Sequence, residues 1–207
     1  KLNKTTLNLK NGTKEKLKAT VTPNNTTDGN VTWKSSNKKI AKVTSRGNVY
    51  AKSVGECTVT ATTANGKKVT CKVKVVPGTA TIKATNTGYN SIKLTWNKLG
   101  DVTGYWIYRR TSGSKYKTIA KVSGTTVSYK DKNLVTGQKY YYKIKGYKKV
   151  GKTTYKGSKS KASKAYPKPA KVKITSIKST AKGAKLYWKK VAGASGYVIY
   201  RSESKTG

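Results

Sequence analysis

Several short stretches of this chain alternate strictly between apolar and polar side chains. Residues 72–75, 92–96 and 142–145 all follow this pattern, which is typical of β-strands that bury one face of a sheet. Turn-forming pairs that tolerate positive φ angles separate the stretches, at Asn11-Gly12, Asp28-Gly29, Gly47-Asn48 and Asn65-Gly66. No segment carries a convincing helical apolar repeat over three turns. The sequence therefore predicts an all-β protein with many short strands.

The chain also repeats part of its own sequence. Residues 94–98 align with 186–190, and residues 104–109 align with 196–201, both at an offset of 92 residues. A period close to 90 indicates repeated whole domains. A domain length of about 90 residues places domain junctions near residues 77 and 168. Prolines occur at both places, in Val76-Pro77-Gly78 and Pro167-Lys168-Pro169. Proline at a strand boundary cannot continue a hydrogen-bonded ladder.

The repeat sets the predicted domain boundaries. We predict one domain at 1–76, a second at 78–167, and the first half of a further domain at 168–207. That last segment has room for about three strands of the roughly seven that a sandwich of this kind needs. One of its apolar faces would then lack a partner sheet, so we expect either that the native polypeptide continues or that this end is poorly ordered.

Residues 1–76 resemble the bacterial immunoglobulin-like domain, group 2. The resemblance covers the whole segment and rests on Leu7, Leu9, Pro23, and the runs 31–36, 40–43, 47–49 and 55–62.

Residues 78–167 resemble the fibronectin type III domain. Trp96 stands where this family buries a tryptophan on its second strand, and Tyr105 and Ile107 match its third strand. The family's tyrosine corner, in which a phenol hydroxyl bonds back to the preceding loop, is matched by Leu134, Gly137 and Tyr140. Residues 168–207 resemble the first half of a second such domain.

These resemblances imply tandem immunoglobulin-like β-sandwiches in a secreted or cell-surface, wall-associated bacterial protein, with a Gram-positive species as the expected source. Such modules commonly flank wall hydrolases, glycan-active enzymes or adhesins. Because a fold does not by itself assign a function, the chemistry has to be argued from the residues.

The composition argues against most catalytic chemistry. There is no His, which removes the commonest metal ligand and the commonest general base at neutral pH. A Ser–Lys nucleophile stays open, although no pattern supports one. We therefore expect no catalytic, cofactor-binding or metal-binding residues, and place any enzymatic domain in the rest of the polypeptide. The carboxylates are too scattered to suggest a dyad or a calcium loop; they are Glu15, Asp28, Glu56, Asp101, Asp131 and Glu203.

The chain has 46 Lys and Arg against 6 Asp and Glu, a formal net charge of +40. Only four of the basic residues are arginine, which favours diffuse, salt-sensitive attraction to a polyanion over specific reading of nucleic-acid bases. The expected partner is an anionic cell-wall polymer or polysaccharide, held weakly and electrostatically, and no specific nucleic acid. Since the charge is spread along the chain, a general composition bias is the alternative.

Two further expectations concern association. A charge near +40 opposes self-association at low salt, so we expect a monomer. No stretch approaches 18 apolar residues, so we expect no membrane insertion.

The two cysteines lie in predicted strands on either side of Asn65-Gly66. If the hairpin is centred near Ala64, Cys57 and Cys71 face each other, and a cross-strand disulfide is predicted. It would close a loop of about 15 residues and stabilise the domain by roughly 3 kcal/mol. The alternative is two free, buried thiols.

Residues 139–164 contain ten lysines and no acid, with Tyr141, Tyr147 and Tyr155 interleaved. If the residues at 140, 142 and 144 point into the core, those at 141, 143, 145 and 147 point outward. In the fibronectin type III topology, the neighbouring strand points residues 106, 108 and 110 to the same side. The predicted candidate glycan or polyanion face consists of Trp106, Tyr108, Arg110, Tyr141, Lys143, Lys145 and Tyr147.

This face has an ordinary structural explanation as well. Tyr and Trp stabilise cross-strand neighbours, and Lys protects a sheet edge from aggregation. The leading functional hypothesis is a non-catalytic accessory or spacer region of an exported protein, tethered to anionic wall polymers by its lysine excess. The alternative is a carbohydrate-binding or adhesin module that uses the aromatic face of the middle domain.

Overall fold

The computed structural model describes residues 1–22 and 30–203. Pro23 and the predicted turn at Asp28-Gly29 lie outside the described residues. Within those residues the chain is all-β, which confirms the predicted fold class. No helix in them is long and apolar enough to cross a membrane.

The first module packs two sheets against each other. One sheet has the order β1-β7-β6-β3 and the other β2-β5-β4. Strand β1 runs parallel to β7, whereas the other ladders are antiparallel. The strands are β1 (Thr6–Lys10), β2 (Lys14–Lys16), β3 (Val31–Ser35), β4 (Ala41–Val43), β5 (Asn48–Ala51), β6 (Gly55–Thr63) and β7 (Lys68–Val76).

Alternation along the strands builds the core of this module. Leu7 and Leu9 of β1 are buried between exposed neighbours, and β6 and β7 bury every second residue over most of their length. Trp33 is only partly buried and packs at the margin of the core. The largest side chains buried at the centre are Leu17, Val49, Val59, Val73 and Val75.

The middle module is a second sandwich. Its sheets have the orders β12-β9-β8 and β11-β10-β13-β14, with β15 also paired to β13. The strands are β8 (Ile82–Gly88), β9 (Ser91–Trp96), β10 (Gly104–Arg110), β11 (Lys117–Ser123), β12 (Ser128–Asp131), β13 (Tyr140–Val150), β14 (Thr153–Lys156) and β15 (Ser163–Ala165).

Two tyrosines tie loops to the core of the middle module. The backbone N–H of Val135 donates to the Tyr140 hydroxyl at 3.1 Å, which confirms the predicted tyrosine corner. The N–H of Leu99 donates to the Tyr105 hydroxyl at 2.8 Å. The Tyr105 ring also packs edge-on against Trp96, with centroids 5.7 Å apart.

Asp131 anchors the middle core through an ion pair. It is buried, its two oxygens each lie 3.0 Å from Nη1 of Arg109, and it accepts a 2.8 Å hydrogen bond from the Tyr142 hydroxyl. Burial, and then the Asp131 carboxylate, raise the pKa of Tyr142, so its hydroxyl stays protonated and donates.

The last segment forms one hairpin, β16 (Ile174–Thr180) and β17 (Gly183–Trp188). About three strands were expected, but residues 196–201 form no strand in the described region. The aligned strand β10 has β11 and β13 as partners, and residues 168–203 supply no counterpart to either. Several apolar side chains are therefore exposed, including Ile177, Val198, Ile199 and Tyr200.

The repeat still reproduces the local packing of the middle module. The N–H of Val191 donates to the Tyr197 hydroxyl at 2.7 Å, which is the Leu99–Tyr105 bond moved by 92 residues. Trp188 and Tyr197 meet edge-on at 5.3 Å and 64°. These contacts need only the hairpin and the loop after it, so they form without the second sheet.

The first two modules make direct contact at their junction. The Val54 N–H donates to the Asp101 carboxylate, which also pairs with Lys148 at 2.6 Å. The Lys74 ammonium lies 5.4 Å from the ring centre of Tyr155. Burial acts to raise the pKa of Asp101, but the hydrogen bonds from Lys148 and Val54 outweigh it and the pKa lies below its usual value.

Candidate polyanion-binding face

Strand register brings the predicted face residues together on the sheet of β10 and β13. Trp106 lies opposite Lys145, Tyr108 opposite Lys143, and Arg110 opposite Tyr141. Tyr147 lies opposite Gly104, at the end of the same ladder. The alternate residues of β13 are buried in the core. We call the seven residues the aromatic–cationic face; what it binds stays a prediction.

One end of the face is a stacked aromatic pair. The rings of Trp106 and Tyr147 lie 4.9 Å apart at an interplanar angle of 18°. Gly104 makes room for this stack, because a Cβ there would lie 2.8 Å from the Tyr147 hydroxyl oxygen. The Lys156 ammonium lies 5.4 Å from the Trp106 ring centre, so the pair also holds a cation.

The other end places cations over tyrosines. The Arg110 guanidinium lies 4.3 Å from the ring centre of Tyr141 and 5.2 Å from that of Tyr116. The Lys143 ammonium also lies 5.1 Å from the Tyr116 ring centre. Tyr116, which lies in the loop between β10 and β11, was not among the predicted face residues. The sequence signal for its place beside the face was its position six residues after Arg110, just before an alternating strand.

Tyr108 is on the predicted face but is covered. It has only 9% of its surface exposed, and the Lys159 ammonium lies 4.4 Å from its ring centre. The covering segment is held to the edge of β13 by backbone bonds from Gly157 to Gly146 and from Ser160 to Ile144. Tyr108 is therefore unavailable as an open stacking surface.

Tyr155 does not belong to this face. It lies opposite Lys148 on the β13–β14 ladder, is buried, and meets Lys74 of the first module. Its interleaving with lysines in the sequence reflects the hairpin between β13 and β14 and gives no common surface.

No described carboxylate neutralises the face. Asp28 lies outside the described residues, and each of the other five carboxylates forms an ion pair elsewhere in the molecule. Burial, followed by repulsion from Lys159 and Lys156, lowers the pKa of Lys145. The face is therefore a concentrated patch of positive charge organised on aromatic rings.

The predicted disulfide is not present, and both cysteines are free and buried. The hairpin is centred at residue 65, so Cys57 pairs with Val73 and Cys71 with Val59. The two cysteines are diagonal neighbours, for which Cα atoms lie about 7–8 Å apart. That separation exceeds the reach of a disulfide without backbone movement.

Both thiols should resist labelling in the folded protein. Burial raises the pKa of Cys57 and of Cys71, and the thiolate is the reactive form. We expect two thiols per chain to react with Ellman's reagent in urea without reductant, and slow reaction in its absence. Failure to find free thiols in urea would contradict the observed register and restore the disulfide.

The residues of the described chain offer no grouping of three or more Cys, Asp or Glu that could hold a metal ion. With the carboxylates paired and the thiols buried, the structured surface presents cations and aromatic rings. Such a surface attracts anions electrostatically, and binding of a polyanion stays a prediction.

The paired sheets of the first two modules define a tandem array of immunoglobulin-like β-sandwiches. Residues 1–73 match the bacterial Ig-like domain (group 2), and residues 76–161 match the fibronectin type III domain. Both the families and their order are as predicted. Modules of these two families are non-catalytic.

Curated relatives share limited segments with this chain. An Alpha-L-arabinofuranosidase of Bifidobacterium longum subsp. longum is 46% identical over 76 residues, which is 36% of this chain and 7% of that protein. A Lacto-N-biosidase of Bifidobacterium bifidum is 46% identical over 77 residues, 35% of this chain and 7% of that protein. The chain thus spans a small fraction of the length of these relatives.

Solved structures include the chicken CNTN1 FN1–FN3 domains, at 17% identity and a TM-score of 0.40. That alignment covers 59% of this chain and 46% of the other. A Fn3-like protein from Clostridium thermocellum aligns at 29% identity and a TM-score of 0.34, over 44% of this chain and 91% of the other.

Proposed function

We propose that this chain is a non-catalytic accessory region of a secreted or cell-surface bacterial protein. It serves as a semi-rigid spacer whose lysine excess biases it toward anionic cell-wall polymers. The short matched segments within a much longer arabinofuranosidase and lacto-N-biosidase support this role, because accessory modules recur beside different catalytic domains. The whole protein's activity would then reside outside residues 1–207.

The contact at the first junction is the observation that carries the spacer role. A flexible linker would leave the two modules independent, whereas the Val54 N–H of the first module donates to the Asp101 carboxylate of the middle module across the Pro77 junction. Lys148 of the middle module pairs with the same carboxylate and holds it in place. Lys74 adds a second contact, over the Tyr155 ring. Contacts of this kind restrict the angle between modules, as a spacer needs in order to hold a neighbouring domain at a set distance.

The electrostatic part of the proposal predicts strong salt dependence. We expect the chain to co-sediment with Gram-positive cell walls at about 50 mM salt and to dissociate by about 500 mM, since attraction between exposed charges is screened. Walls stripped of teichoic acid should bind much less. Binding that survives stripping and high salt would contradict wall tethering by charge.

Carbohydrate recognition by the aromatic–cationic face is the second candidate function. It is favoured by the stacked Trp106–Tyr147 pair, whose indole is only partly buried. Trp106→Ala and Tyr141→Ala leave the charge unchanged, so they should abolish binding of a neutral glycan if rings stack on sugar. An unchanged affinity in both variants would favour the spacer role alone.

A further inference from the structure

We propose that the aromatic–cationic face, extended by Lys156 and Lys159, is a defined binding site for a linear polyanionic glycan. In this site the rings hold the cations, and the cations bind the polymer. The inference rests on the proposed attraction to wall polymers and goes beyond it, since it assigns binding to one surface instead of the whole +40 chain.

The aromatic rings of the face already hold cations. Lys159 lies over Tyr108, Lys156 over Trp106, and Arg110 over Tyr141, with ammonium or guanidinium groups 4.3–5.4 Å from the ring centres. A cation at this distance is attracted by the ring quadrupole. The rings therefore fix the positions of cations that would otherwise spread apart, and such preorganisation strengthens binding.

No described carboxylate lies at this cluster of cations as an internal counter-ion. Lys145 is half-buried, and after burial itself, repulsion from Lys159 and Lys156 lowers its pKa. The described carboxylates are all paired at other places. An arriving anion would relieve this repulsion at the cluster, whereas isolated surface lysines offer no such gain.

The patch has the elongated shape of a strand. From Tyr141 to Tyr147 the face spans seven residues of β13, and the six steps between them cover about 20 Å at the usual rise per residue. Cations occur along this whole length, from Lys156 beside Trp106 to Arg110 beside Tyr141. One small anion would occupy only part of this line. A linear polymer with repeated phosphodiester or carboxylate groups would match it.

The internal repeat distinguishes the inward residues of β10 from its outward ones. The inward residues of β10 recur 92 residues later, whereas two of the three outward ones do not. Tyr105 and Ile107 recur as Tyr197 and Ile199, Tyr108 recurs as Tyr200, and Trp106 and Arg110 are replaced by Val198 and Ser202. The repeated pattern of inward residues thus does not include the Trp and the Arg of the face.

The middle module contains its own control surface. Lys83, Lys93 and Lys130 lie on the opposite sheet, are exposed, and Lys93 pairs directly with Lys130. None of the three lies over an aromatic ring in the described region. Replacing these three by Gln removes the same charge from the same module as replacing Lys145, Lys156 and Lys159.

The test compares the two triple variants in the full chain at about 150 mM salt. Purified wall teichoic acid supplies phosphodiesters, polygalacturonate supplies carboxylates, and a neutral arabinan is the control. We expect the Lys145/Lys156/Lys159→Gln variant to lose at least about tenfold in affinity for a polyanion. The Lys83/Lys93/Lys130→Gln variant should lose less than about threefold. The polymer that shows this difference identifies the anionic group.

A charge-neutral variant tests the role of the rings. Trp106→Ala removes the ring beneath Lys156, and we expect a several-fold loss of polyanion affinity with unchanged circular dichroism. If Trp106→Ala binds like wild type, the rings do not position the cations.

The outcomes separate this inference from the proposed function. Equal losses in the two triple variants would overturn the defined site and leave diffuse tethering intact. Absence of wild-type binding to either polyanion at about 50 mM salt would overturn both. Binding of the neutral arabinan with the same affinity would overturn recognition of charge and support sugar stacking.

Discussion

Asp131→Ala should lower the free energy of unfolding of the middle module by about 3 kcal/mol. The substitution leaves the buried Tyr142 hydroxyl without its acceptor and Arg109 without its counter-ion. The lower end of the usual range applies because the Arg109 side chain keeps 34% of its surface exposed and can regain water.

Hydrogen exchange in increasing urea can measure this effect within one module. Peptides from β9 and β13 should lose protection, whereas the buried thiols of Cys57 and Cys71 should react as in wild type because they belong to the first module. Lys130→Ala is the matched control, since Lys130 is exposed beside Asp131 on the same strand and should change stability by less than about 0.5 kcal/mol. A loss below about 1 kcal/mol for Asp131→Ala would show that the ion pair is not a main support of the core.

The face of each strand could be read from the sequence because side-chain direction has a period of two. The inward assignment of Tyr140, Tyr142 and Ile144 is correct, and it fixes the direction of the residues between them. The relation between β10 and β13 came from the resemblance to a known family, because sequence alternation carries no information on which strands are neighbours.

Register was harder to predict, as the cysteines show. A hairpin centre at residue 65 instead of 64 moves every cross-strand partner by two positions. Such a shift keeps each side chain on its own face, so both thiols stay in the core. It moves Cys57 from opposite Cys71 to opposite Val73, and a disulfide depends on that detail.

The cation positions on the face could not have been predicted from spacing. Lys159 reaches Tyr108 because the irregular segment after β14 bonds to the edge of β13. Tyr155 faces the junction because the hairpin before it sets its pairing with Lys148. Both placements depend on tertiary structure beyond a single strand, where periodicity gives no guidance.

The contacts at the junction of the first two modules connect the spacer role with the binding face. Lys148 reaches Asp101 from β13, the strand whose other side carries Lys145 and Tyr147. The junction therefore fixes the first module against the sheet that carries the face. A polymer bound along that sheet would be held at a set orientation to both modules, which suits an accessory region that positions a larger protein on a wall.

Gly47→Ala should destabilise the first module by about 3 kcal/mol, more than the positive φ angle alone would cause. Gly47 has φ of 75°, and a non-glycine residue there costs roughly 1–2 kcal/mol. In addition, a Cβ would lie 2.4 Å from the Leu17 carbonyl oxygen and 3.1 Å from the Trp33 ring. The Leu17 backbone cannot easily move away from the added Cβ, because its N–H donates to the Gly47 carbonyl at 2.9 Å.

Gly66→Ala separates the two causes within the same module. Gly66 has φ of 81°, yet nothing lies within 4 Å of its Cβ position, so only the backbone term of about 1 kcal/mol applies. The rate at which Cys57 and Cys71 react with Ellman's reagent in moderate urea reports the unfolding of this module for both variants. Equal acceleration would mean that the turn relaxes away from Leu17 and Trp33. A much larger acceleration for Gly47→Ala would show that the close approach of the turn to the core fixes this residue as glycine.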